Sequence, residues 1–168
     1  MAIARYYHNI DLFLTMTANP HWPEIERELL PGQDLTDRPD LIARVFNLKK
    51  NTLIREVIRN GIFGCAVAHI YTIEFQKRGL PHMHLLIFLD CCNKLLDPAA
   101  VDSTIRATWP DPDREPLLFE MAKACMVHGP CGALNPSAPC MDNGKCPKRY
   151  PKPVQEHTSL NQDGYPLY

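Results

Sequence analysis

The hydrophobic rhythm of the chain changes several times, and each change predicts an element boundary. Residues 11–17 (Asp11-Leu12-Phe13-Leu14-Thr15-Met16-Thr17) are rich in apolar and β-branched side chains and run into Asn19-Pro20, the pattern of a short strand closed by a turn. Between 37 and 60 the period lengthens. Apolar residues recur at Leu41, Val45 and Leu48 and at Ile42, Phe46, Leu53 and Val57, the spacing of a helix with one face inward. Asp37 is placed to cap its start, Pro39 suits its first turn, and Asn60-Gly61 marks its end. Stretches 65–75 and 82–89 are strand-like, and the glycine and proline of residues 76–81 suit a hairpin that pairs them antiparallel. Leu85-Leu86-Ile87-Phe88-Leu89 is apolar at every position, so this strand is expected at the centre of the sheet, covered on both sides. Helices are expected over 98–108 and 115–126. From 128 to 153 prolines, glycines and cysteines replace any period, which describes a loop-rich module in need of an external staple.

Composition changes this picture little. With 168 residues, 45% of them apolar and 22% charged, the chain is long enough for one domain with a real core, and no apolar run is long enough to span a bilayer. No secretory signal opens the sequence. Seven cysteines, an odd number, fit metal-bound or free thiols in a reducing compartment better than a disulfide framework. The formal net charge of −1 gives no global reason to expect nucleic-acid binding, but basic clusters occur at Lys49, Lys50, Arg55 and Arg59, at Lys77 and Arg78, and at Lys145, Lys148, Arg149 and Lys152.

Candidate chemistry concentrates at two places. His82-Met83-His84 heads the most hydrophobic strand, and alternation puts both imidazoles on one face with Met83 on the other. Antiparallel pairing would bring Glu74 beside them, with Gln76 on the same face if the strand runs that far. Two imidazoles and a carboxylate or amide oxygen, with coordination positions left open, suit Mg²⁺ or Mn²⁺ able to polarise a phosphoryl oxygen. The bland alternative is a pair of packing or surface histidines. The second place is the segment holding His128, Cys131, Cys140 and Cys146, with gaps of two, eight and five residues, the ligand set of a closed, structural Zn²⁺ site. Cys125 could replace one of these thiols, and scattered free thiols are the plain alternative. Cys65, Cys91 and Cys92 read as core or strand-end residues.

The run Glu74-Phe75-Gln76-Lys77-Arg78-Gly79-Leu80-Pro81-His82-Met83-His84 resembles the His-hydrophobic-His signature of Helitron-type replication initiators, members of the HUH endonucleases. The upstream run Phe13-Leu14-Thr15-Met16-Thr17-Ala18-Asn19-Pro20-His21-Trp22-Pro23-Glu24-Ile25 resembles their first motif, in the expected order, and the stretch through Cys131, Asn135, Pro136, Cys140, Gly144, Lys145 and Cys146 resembles their cysteine-rich segment. The resemblance implies an α+β fold, a central antiparallel sheet flanked by helices, divided as a partial nuclease domain over 1–127, a zinc-binding segment over 128–153 and a tail over 154–168. It implies that His82 and His84, with Glu74 or Gln76 as third ligand, hold a divalent ion that binds a scissile phosphate. A tyrosine then attacks, leaving a 5′-phosphotyrosine. Single-stranded DNA at transposon ends would be the partner, in an intracellular, nuclear setting without a membrane.

The match breaks at the nucleophile. The family's tyrosines lie on a helix downstream of the cysteine-rich segment, whereas Tyr165 and Tyr168 sit among Gly164 and Pro166, and Tyr6, Tyr7, Tyr71 and Tyr150 have no better claim. No G-x-x-x-x-G-K-[ST] loop occurs either. The expectation is therefore a fragment whose tyrosine and helicase lie downstream, and which forms no covalent DNA adduct by itself. Two other functions remain open: a non-catalytic single-stranded-DNA binding module using Trp22 and the basic clusters, and an Fe²⁺ oxygenase built on two histidines and a carboxylate.

Overall fold

A computed structural model describes residues 6–7, 9–76, 79–105, 108–162 and 165–167. The chain divides into two compact units, Met1–Leu95 and Leu96–Tyr168. The first is α+β. Strand β1 (Leu12–Thr17), helix α1 (Pro23–Glu26), helix α2 (Pro39–Ile54), strand β2 (Ala66–Phe75) and strand β3 (Pro81–Leu89) follow in order, and the antiparallel sheet has the spatial order β1-β3-β2. The hydrophobic run thus lies between two partners, as its composition predicts.

Alternation along β3 sorts the sheet into two faces. Pro81, Met83, Leu85, Ile87 and Leu89 are all buried, and the last four join Leu12, Ala18, Ile25, Ile42, Val45, Phe46 and Val57 in one core. His82, His84 and Leu86 on the other face are half-buried, and Phe88 is buried with Tyr7 against its ring at 5.6 Å. The expected cover on both sides therefore holds for the core face and fails over the first half of the other. The side chains beside the histidines there, Thr15, Thr17, Thr72 and Glu74, are polar and exposed and need no apolar layer.

Helix α2 differs from expectation at its start and in its phase, while the helical run ends at Asn60-Gly61 as expected. Asp37 does not cap it: its carboxylate accepts the Asp34 N–H at 2.9 Å and closes a capping box over a 3-10 turn, Leu35–Asp37. Arg38 stands at the N-cap without a side-chain cap, and Pro39 opens the helix. Leu48 faces solvent, 67% exposed, while Lys50 lies on the inward side with its Nζ 5.1 Å from the Tyr71 ring centroid. One wide turn, Arg55–Arg59, follows, and Gly61 leaves it at φ 62°, a conformation that favours glycine.

The second unit holds helix α3 (Pro98–Thr104), shorter than the expected 98–108, helix α4 (Pro116–Cys125), and a two-stranded hairpin of β4 (Ser159–Leu160) and β5 (Pro166–Leu167). Asp97 caps α3 by accepting the Ala100 N–H at 2.9 Å. Its described buried apolar residues are Val101, Cys131 and Ala138. Between α4 and β4 the chain runs in turns. Cys65, Cys91 and Cys92, read as core or strand-end residues, are exposed: Cys91 and Cys92 lie in a 3-10 turn after β3 and Cys65 just before β2, so only the strand-end reading holds.

Candidate metal centres

The hairpin register places Glu74 opposite His82 and Thr72 opposite His84, while β1 places Thr17 opposite His82 and Thr15 opposite His84. Directly paired residues share a face, so the two imidazoles and the carboxylate converge. Their ligand atoms lie within 4.8 Å of one another. His84 Nε2 is 3.1 Å from Glu74 Oε1, and the two rings stand edge to face with centroids 4.5 Å apart. Glu74 is 62% exposed and His84 33% exposed, which leaves coordination positions open to solvent or to a ligand from outside.

Two contacts that the sequence did not announce fix the rings. Thr17 Oγ1 lies 2.6 Å from His82 Nδ1. The tautomer in which Nδ1–H donates to this hydroxyl leaves the Nε2 lone pair free for an ion, the arrangement in which a second polar group orients a metal-bound histidine. Phe13, 59% exposed, lies parallel to His84 at 6° with centroids 5.6 Å apart. Both residues fall inside the Phe13–Ile25 motif, but nothing in their types marked them as neighbours of the histidines. Gln76, the substitute third ligand, lies just past β2, where its backbone accepts from Gly79 N–H and donates to Leu80 O to close the turn. Lys77 and Arg78 lie outside the described residues.

In the second unit, His128, Cys131, Cys140 and Cys146 also bring one ligand atom each within 4.8 Å of the others. Two tight turns make this possible. Gly132 at φ 66° opens a turn bridged by Gly132 and Asn135, and Asn143-Gly144, both at positive φ, reverse the chain between Asp142 and Lys145. Cys146 Sγ is 3.7 Å from His128 Nε2, and His128 stacks on Tyr150 with centroids 4.0 Å apart. Burial, then the neighbouring Cys140 and Cys146 thiols, push the Cys131 thiol up to about 11. Cys146 is lowered, chiefly by backbone hydrogen bonds from Tyr150 and Lys148. Three thiolates packed this closely repel one another, and a soft or borderline divalent cation such as zinc relieves that repulsion while taking the imidazole as its fourth ligand. The donor set fits zinc. The Cys125 side chain lies outside the described residues.

A third group, Asp90, Cys91 and Cys92, meets the same distance limit at the end of β3, with the two sulfurs 3.8 Å apart and exposed. Cys91 is raised by the Cys92 thiol and then by Asp90.

Of the tyrosines, Tyr71 projects from the face of β2 opposite to Glu74, Tyr150 stacks on His128, and Tyr165 is exposed beside the short hairpin. Tyr168 lies outside the described residues.

An α+β domain with a three-stranded antiparallel sheet, a two-histidine, one-carboxylate cluster on its central strand, and a Cys/His-rich companion unit is the class of protein these features define. The sequence model of the Helitron helicase-like domain at the N-terminus matches residues 1–87, more than half of the chain and all of the three-stranded sheet but its last two residues. The chain belongs to that family. A comparison with curated proteins returned no match. No described helix is long and apolar enough to cross a membrane.

Proposed function

We propose that this chain carries the metal-binding half of a Helitron rolling-circle nuclease centre of HUH type, which binds single-stranded DNA and positions a phosphodiester for transfer to a tyrosine. The observation that carries the reading is the convergence of Glu74, His82 and His84 on the open face of the central strand. Bound there, Mg²⁺ or Mn²⁺ would supply Lewis-acid charge to a phosphate oxygen. His82, held through Nδ1 by Thr17, and His84, held between Phe13 and Glu74, keep their ring planes fixed while the site remains accessible. An open strand face admits a polymer passing over it, whereas an Fe²⁺ oxygenase needs a closed pocket for a small substrate. In this reading the 5′-phosphotyrosine forms with a tyrosine from outside these residues, and the helicase and a nuclear setting belong to the larger Helitron machinery.

Mn²⁺ titration of the wild type and of His82→Ala/His84→Ala, followed by calorimetry, tests the site. Saturable binding by the wild type and none by the variant is the expected result. Equal binding by both proteins would remove the centre, and single-stranded DNA binding without metal binding would favour the non-catalytic module. A covalent adduct with a labelled oligonucleotide that disappears in Tyr165→Phe would move the nucleophile into this chain.

A further inference from the structure

We propose that the cysteine-stapled segment 128–153 is itself a binding surface for single-stranded DNA, separate from the histidine centre. This rests on the proposed function only for the identity of the partner; the surface is argued from charge. Segment 128–153 contains Lys145, Lys148, Arg149 and Lys152 against Asp142 alone, a formal +3, and the remainder of the chain therefore carries −4. Three thiolates on one divalent ion would take back a single charge, so the loaded segment stays cationic.

Five of the eight described cations of the first unit are committed, and the other three, Arg27, Arg44 and Arg59, are dispersed along the chain. Lys49 pairs with Glu24 at 2.7 Å, Arg38 with Asp40, Arg55 with Glu56 and Lys94 with Asp11, while Lys50 is buried. Among the described residues, Lys145, Lys148, Arg149 and Lys152 have no carboxylate within ion-pair distance, and all four are exposed. They fall within eight consecutive residues, on backbone tied down by the Arg149 N–H to Cys146 O bond, interrupted by Pro147 and Pro151 and followed by Pro153. Little entropy is lost when such a segment binds. Unpaired cations at short intervals on stiff backbone match the repeated charge of a phosphodiester chain.

The surroundings favour nucleic acid over an acidic polypeptide. Lys152 Nζ lies 5.4 Å from the Tyr150 ring centroid, a ring already stacked on His128. A cavity of about 500 Å³ opens at the cluster, lined by two of the metal ligands, His128 and Cys140, and by Pro130, Pro139, Asn135 and Lys148. It offers an unstacked base an apolar wall, an amide that reads a base edge and a cation for the adjoining phosphate.

The test uses the full chain loaded with metal. Lys145, Lys148, Arg149 and Lys152 are all changed to Gln, and the cobalt-substituted thiolate absorption band checks that the cluster is intact. Binding of a fluorescent single-stranded oligonucleotide is followed by anisotropy across a salt series. The expected result is at least about tenfold weaker binding for the quadruple variant and a log–log salt slope smaller by about 3, since each phosphate contact on a single strand contributes roughly 0.7. The control Arg44→Gln/Arg55→Gln should bind like the wild type. An unchanged affinity and slope in the quadruple variant, with the wild type binding normally, overturns this surface and leaves the histidine reading standing. Polyglutamate competing as well as the oligonucleotide overturns the assignment to nucleic acid. A wild type that binds no oligonucleotide overturns both readings. Loss of DNA binding in His82→Ala/His84→Ala, with the quadruple variant unaffected, overturns this one alone.

Discussion

The two units solve the same problem by opposite means. In the first, eleven buried apolar residues from two helices and a sheet pack into one core, and the histidine cluster rests on the outer face of that sheet as a passenger. In the second, the described buried apolar residues are Val101, Cys131 and Ala138, while Leu117, Met121, Met126, Leu134 and Val154 are more than half exposed. Hydrophobic burial of this extent cannot offset the entropy of ordering so many turns. The side chains that do converge there are metal ligands. A site placed on a finished core can be emptied without loss of fold; a site that replaces a core cannot.

The strongest way to break this comparison is to remove metal from the second unit. Zinc held by small cysteine-rich peptides contributes about 10–16 kcal/mol of apparent binding free energy, which in a module without a core is folding free energy. Chelation of metal-loaded protein, or Cys140→Ser/Cys146→Ser, should abolish amide-exchange protection over 128–153 and leave β1, β2 and β3 protected. Retained protection in both units would mean that the second unit has a fold independent of its ligands. Next in size is the core of the first unit. Ile87 is fully buried in the central strand, and Ile87→Ala should cost about 2–5 kcal/mol in denaturant unfolding followed by Trp22 fluorescence, without altering zinc content. Concerted loss of zinc would show that the units fold together.

How much of this was legible in the sequence follows from the same contrast. Strand alternation placed His82, His84 and Glu74 on one face, because a period of two survives any packing arrangement, and the unbroken apolar run 85–89 placed β3 at the centre. The cysteine cluster was legible from donor types, and Asn143-Gly144 is a sequence signal for the turn that closes it. The phase of α2 was not. Leu48 and Lys50 differ by two positions, and which one faces inward depends on where the sheet lies and on Tyr71 as a cation partner. Asp37 was misread as a helix cap because Asp34 competes for it through a local box. Thr17 and Phe13 touch the histidines across β1–β3, a pairing in which 64 or more residues separate the partners, and no local pattern reports it.

A smaller effect tests whether the passenger site is oriented by its sheet. Thr17→Val keeps the β-branched shape but removes the oxygen beside His82 Nδ1. Loss of such an orienting group lowers metal affinity by about 10- to 100-fold, and the variant should show this in Mn²⁺ calorimetry with its melting temperature unchanged. Thr17→Ser should restore most of the affinity. If valine binds Mn²⁺ as the wild type does, His82 is held by packing alone.

The smallest expected effect concerns how acid acts on the two units. Glu24 at the start of α1 accepts a hydrogen bond from Lys49 of α2 at 2.7 Å, and this bond, followed by a backbone hydrogen bond, holds the Glu24 carboxyl below its usual range. A carboxyl depressed by folding contributes stability that is present above its unfolded value, near 4.3, and disappears as pH falls through the folded value. Because both partners are solvent-exposed, the contribution is small and screened by salt. Lys49→Met should therefore lower the melting temperature of the first unit slightly at pH 7 and low salt, and the difference from wild type should shrink as pH falls below the unfolded value and vanish below the lowered folded one. The second unit should fail earlier on the same titration, since protons compete with zinc for its three thiolates and imidazole and the unit has no core to hold it once the ion is released. Acid titration followed by circular dichroism together with a zinc-sensitive dye reads both events. Zinc release that coincides with unfolding of the sheet, at one midpoint, would contradict the separation between a core-built unit and a metal-built one.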